Sequence, residues 1–106
     1  MKAIHRMSVI LVCACAIVIA WAEPPAAGAF KSKCAACHGA SGDGNTPAGK
    51  ALNVPPLTSE AVLNETDANL LVIVKNGKGK MPAWHDALSD EEIKNLIAYI
   101  RTMRKK

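Results

Sequence analysis

The sequence predicts an all-α fold of three to five helices joined by long ordered loops. Two observations point to helices. Ser89-Asp90-Glu91-Glu92 is a capping box, and Ile93, Leu96, Ile97, Ile100 and Met103 follow it at helical spacing. Thr66 with Asp67 can open, and Gly77 can close, a second helical segment. A third observation points to the loops. Gly39, Gly42, Gly44 and Gly49 interleave with Ser41, Asp43, Asn45 and Pro47, and Val54-Pro55-Pro56 extends the irregular stretch.

Taken in order, the chain begins with a segment that reads as an export signal. Lys2, His5 and Arg6 precede an uncharged apolar run from Met7 to Ala20, and Ala20-Trp21-Ala22 places small residues where a signal peptidase reads. The run is shorter than the roughly 20 residues of a spanning helix. Cleavage after Ala22 is therefore expected, with residues 1–22 as signal peptide and 23–106 as the mature domain. A lipoprotein attachment at Cys15 is a poorer fit, because Val12-Cys13-Ala14 is a weak match and the apolar run continues past it.

The mature domain of 84 residues holds 11 basic residues against 9 acidic, once Lys2 and Arg6 are removed. That charge is too mild to argue for nucleic-acid binding. Its aromatic residues are Phe30, Trp84 and Tyr99 alone, so the chain needs something large and apolar to fold around. Pro24-Pro25 marks the mature N-terminus, and a first helix is expected from about Ala26 into Cys34–Cys37. Thr58 or Ser59 can cap a short helix through Leu63. Leu70-Leu71-Val72-Ile73-Val74 could alone be a buried strand, but its flanking caps favour helix. The last helix ends in Arg101, Arg104, Lys105 and Lys106, where the helix dipole favours cations.

Cys34-Ala35-Ala36-Cys37-His38 carries the chemistry. Two thiols one helical turn apart can reach the two vinyl groups on one haem edge, and the next residue presents an imidazole to the iron. The pattern is the sequence sign of c-type haem attachment. A redox dithiol usually sits in a thioredoxin-like βαβ setting, which the pattern lacks. A zinc site needs a second pair of ligands, and none follows at suitable spacing.

With this motif, the sequence resembles a class I c-type cytochrome of the small monohaem bacterial and algal kind, from about Ala26 to Arg104. The resemblance implies the cytochrome c fold around one covalent haem c. Cys34 and Cys37 would be its thioether attachment sites and His38 the proximal iron ligand. Phe30 matches the aromatic of the N-terminal helix, and Leu96 and Tyr99 match the C-terminal residues that cross it. Alanine stands at position 26, where the family often has glycine; it is small enough to keep the helices close. Met81, Met103 and His85 are the available sixth ligands. Met103 lies on the apolar side of the last helix and reads as core. Gly77 to Trp84 resembles the axial-methionine loop of the family, which favours Met81, with His85 as the runner-up. Pro47, nine residues after His38, resembles the carbonyl acceptor for the other imidazole nitrogen. Trp84 is expected in the haem environment. Asn64-Glu65-Thr66 fits a glycosylation sequon, which is disregarded in an expected bacterial protein.

An iron ligated on both faces has no open position for substrate, which points away from an enzyme and toward single-electron transfer. Methionine sulfur and burial both raise the potential. Expected partners are redox proteins as donor and acceptor, with acidic docking faces drawn to Lys31, Lys33, Lys75, Lys78 and Lys80. The expected state is a periplasmic monomer with no membrane span, the thylakoid lumen being the second choice. The alternatives are a haem subunit of a dehydrogenase complex, and a peroxidase or gas-binding haem protein with a weak sixth ligand.

Overall fold

The computed structural model describes residues 10–17 and 24–105. The expected basic n-region and the cleavage site after Ala22 lie outside the described residues. Residues 10–17 are exposed and carry no regular secondary structure. No helix among the described residues is long and apolar enough to cross a membrane.

Six α-helices follow: α1 Pro25–Lys33, α2 Ala35–His38, α3 Pro47–Ala51, α4 Glu60–Leu63, α5 Asp67–Asn76 and α6 Asp90–Thr102, with a final 3-10 turn at Met103–Lys105. Among the described residues the only β pairing is an isolated bridge between Lys78 and Met81. The count exceeds three to five because α3 forms where loop is expected and because the expected first helix breaks at Cys34, whose ψ of −34° goes with a φ of −114°. The bonding runs on across the break: the Cys34 N–H donates to the Phe30 carbonyl and the His38 N–H to the Cys34 carbonyl, both at 2.9 Å. The segment 70–74 is helical, as its caps favour. Thr66 accepts the Asn69 N–H, and Gly77, with φ 77°, ends the helix.

The helix α3 interrupts a stretch expected as loop throughout. Thr46 caps it, accepting the Gly49 N–H at 2.9 Å, and Pro47 occupies the first turn, where a missing N–H costs nothing. Gly49 is needed here for its lack of a side chain: a Cβ would collide with the carbonyls of Gly44 and Cys37.

The helix α6 is the platform. Its capping box is complete, with the Glu92 N–H on Ser89 Oγ and the Ser89 N–H on Glu92 Oε1, both at 3.1 Å. Ile93, Leu96 and Ile97 are almost fully buried on the face that meets α1 and α5. Phe30 from α1 is 1% exposed, and its ring centroid lies 5.6 Å from that of Tyr99 at an interplanar angle of 58°. That tilted pair adds about 0.5–1.5 kcal/mol to the burial itself. With Leu88 and Met103, these residues complete the buried core among the described residues. Six buried side chains are few for a domain of this length. Val54, Leu57, Val62, Leu70, Ile73 and Val74 surround a cavity instead.

Candidate functional site

The cavity measures about 640 Å³, within the roughly 300–1,000 Å³ of cofactor and small-molecule sites. Its walls are mostly apolar and come from the α1–α2 turn, the stretch after α3, α4, α5 with the loop that follows it, and α6. Phe30 stands at its base, Val54 and Leu57 come from the irregular stretch, Ile73 and Val74 from α5, and Ile97 from α6.

Cys34, Cys37 and His38 all line it. Residues three and four apart share one helix face, so the turn through Cys34 aims both thiols and the imidazole the same way. Among the described residues neither cysteine is in a disulfide, and no group of three or more His, Cys, Asp or Glu side chains could hold a metal ion, as a zinc site would need. Burial raises the Cys34 thiol above its ordinary pKa, with Lys33 pulling weakly the other way. Burial also lowers His38, which favours the neutral imidazole.

Met81 lines the cavity from the loop after α5, together with Lys78, Gly79, Lys80 and Pro82. Two further bonds tie that loop to α5: the Trp84 N–H to the Val74 carbonyl at 3.0 Å, and the His85 N–H to the Lys75 carbonyl at 3.2 Å. Trp84 also borders the cavity. Met103 and His85 do not. Met103 is buried against Gly42, where its sulfur would stand 2.8 Å from an added Cβ, and His85 is exposed with its Nδ1 at 2.9 Å from Asp86.

The bond expected between His38 and Pro47 is not made. His38 Nδ1 is buried with no hydrogen-bond partner, and Pro47 is exposed and outside the cavity lining. As the first residue of α3, Pro47 has its carbonyl turned along the helix toward the N–H four residues on. Thr46, not singled out from sequence, does the joining: its hydroxyl donates to the Cys37 carbonyl at 3.2 Å while accepting the Gly49 N–H. Asn53, Leu52 and Glu65 also border the cavity without having been foreseen. The positive φ of 52° at Asn53 hints at a special turn, but only the fold shows what it faces.

A family model described as "Cytochrome C oxidase, cbb3-type, subunit III" matches residues 23–100. Cytochrome c6 of Bryopsis maxima is 42% identical over 79 residues, an alignment covering 67% of this chain and 80% of that protein. The chain belongs to the class I c-type cytochromes. The cytochrome is also 39% identical over 77 residues to the cbb3-type cytochrome c oxidase subunit CcoP of Azospirillum sp. (strain B510), but spans only 26% of that protein's length. The solved structure of the KustC0563 c-type cytochrome superposes with a TM-score of 0.68 at 21% identity, over 74% of this chain and 96% of that one. That likeness bears on fold alone.

The family's cofactor is one covalent haem c, and the cavity fits it. The lining is apolar as the haem faces are, two unpaired thiols and an imidazole project from one turn, and a thioether borders the same space. Three lysines, Lys33, Lys78 and Lys80, also border it. Lys31 lies outside the lining, and Lys75 is engaged by Asp90 at 3.0 Å.

Proposed function

We propose that this cytochrome is a soluble carrier of single electrons, with haem c joined to Cys34 and Cys37 and its iron ligated by His38 and Met81. The observation that carries the reading is the convergence of these four side chains, from the α1–α2 turn and the loop after α5, on one apolar cavity. Bound there, haem c supplies a one-electron iron couple. The cysteines would hold it against loss, and the His38 imidazole and the Met81 thioether would be its iron ligands. No position is then left for substrate, so the protein relays electrons and catalyses nothing. The apolar walls exclude water and favour the reduced form, and the neutral thioether acts in the same direction. Trp84, tied by its backbone to α5, closes the space beside Met81.

The chain is read as exported to the periplasm, with cleavage after Ala22, and as meeting redox partners with acidic faces at the lysine-bordered mouth. A redox titration with optical spectra of the holo-protein tests the reading. The expected result is one one-electron wave and a low-spin ferric spectrum with the weak red band of thioether ligation. A high-spin ferric iron would favour a gas-binding or peroxidase site instead.

A second reading is a haem domain serving a membrane oxidase, which the description of the matching family model favours. Co-purification with an oxidase from native membranes would support it; recovery of free monomer supports the carrier.

A further inference from the structure

Arg101, on α6, uses the whole of its guanidinium. Its Nε–H donates to Asp67 Oδ1 at 3.1 Å. Nη1 donates to the carbonyls of Val62 at 3.2 Å and Leu63 at 3.4 Å. Nη2 donates to the Glu65 carbonyl at 2.6 Å and to Asp67 Oδ1 at 2.8 Å. A guanidinium has five N–H donors, and all are in use.

Apart from its own turn bonds, the segment it grips has one other side-chain tie among the described residues, from Asn69 Nδ2–H to Glu65 Oε1 at 2.8 Å. The helix α4 has four residues, too few to be stable alone. Ser59 stands at its N-cap without a capping bond, and its hydroxyl is buried without a partner. At the other end, the Leu63 and Glu65 carbonyls accept no backbone N–H. Yet Ala61, Val62 and Glu65 form one wall of the cavity.

The ion pair with Asp67 is not what matters most. Asp67 is 76% exposed, where an ion pair is screened and contributes little. Its charge also largely cancels that of Arg101 as seen from the cavity. The carbonyl bonds remain, and they need a planar fork that points in several directions at once.

We infer that Arg101 is a positioning residue for the haem-facing wall: its fork holds residues 61–65 against the cavity, limits how far water reaches the iron, and so sustains the reduction potential. The inference rests on reading the cavity as a haem site. A looser wall admits water, raises the local dielectric and stabilises the ferric form, which lowers the potential.

The test uses the holo-protein and its Arg101→Gln, Arg101→Lys and Asp67→Asn variants. Midpoint potential and amide hydrogen exchange at residues 61–65 are measured together. Arg101→Gln and Arg101→Lys should both lower the midpoint and speed exchange in that segment by about tenfold or more. Asp67→Asn, which keeps the carbonyl bonds, should shift the midpoint much less. An Arg101→Lys protein with wild-type midpoint overturns the inference, because charge alone then suffices. Faster exchange with an unchanged midpoint overturns it too, leaving Arg101 a purely structural clamp. So does an Asp67→Asn protein with the full drop of Arg101→Gln. If Arg101→Gln yields no folded holo-protein, the other two variants are compared with wild type by the same rule. High-spin iron in the wild type would instead count against the electron-carrier reading; the outcomes above, against a low-spin wild type, count only against Arg101.

Discussion

The backbones of Lys78 and Met81 pair in both directions, the Lys78 N–H to the Met81 carbonyl at 3.2 Å and the Met81 N–H to the Lys78 carbonyl at 3.0 Å. Gly79 between them has φ 57°, the pattern of a two-residue II′ turn with glycine at its first central position. Gly77 lies just before, with φ 77°, and a Cβ there would stand 2.6 Å from the Met81 carbonyl oxygen. The backbone that carries the thioether is therefore held by a closed ring of hydrogen bonds beside a position that admits only glycine.

Met81→Ala is expected to abolish the red thioether band and lower the potential, whereas Met103→Ala should leave the band intact. Met103 is 6% exposed in the core, so its truncation should cost about 2–5 kcal/mol of stability. Optical spectra and denaturant titrations of the two holo-proteins check both halves. Loss of the band in Met103→Ala alone would reverse the assignment.

Folding should depend on haem. Among the described residues the core holds six buried side chains, of which Phe30, Leu96 and Ile97 also line a cavity of about 640 Å³, which collapses or floods when its apolar filling is missing. A Cys34→Ala, Cys37→Ala chain made without haem should show no cooperative thermal transition by circular dichroism. A sharp two-state melt would show that the protein core suffices.

The capping box makes a pH dependence. The Ser89 backbone N–H, and then its hydroxyl, hold the Glu92 carboxyl below its ordinary pKa. A depressed folded-state pKa adds stability that is present above the unfolded value and is lost as pH falls through the folded one. Melting temperature should therefore drop across the lower carboxylate range. Glu92→Gln, which keeps an acceptor but cannot titrate, should flatten that part of the profile. An unchanged profile would place the acid sensitivity elsewhere.

Lys33, Lys78 and Lys80 border the cavity mouth and should speed encounter with an acidic partner. The second-order electron-transfer rate is expected to fall as salt rises, since exposed charges are screened over about 8 Å at physiological ionic strength. Lys78→Glu with Lys80→Glu should weaken that dependence. A rate indifferent to both would mean that apolar contacts guide the encounter.

How much of this could be read from the residues depended on how local the cause was. The capping box of α6 and the Thr66 cap of α5 are contacts between residues three apart, and both stand where the sequence places them. Thr46-Pro47 carries an equally local cap signal, but it lies among glycines whose pattern is that of a loop. In the sequence Arg101 is a cation answering a helix dipole. Its partners lie 34 to 39 positions earlier, and no spacing rule reaches that far. The site divides the same way. The Cys34–His38 turn and the Met81 loop are short motifs, whereas the Pro47 reading needs a bond across nine positions, and His38 Nδ1 has no partner in this structure.

The sparse core also bears on how the cell handles this chain. If folding depends on haem as expected, the domain exposes its backbone until loading is finished, and open backbone is what proteases cut. Unfilled copies should then be removed through their own looseness, while filled copies should resist. The surviving population should then be enriched in filled molecules without any separate step of inspection.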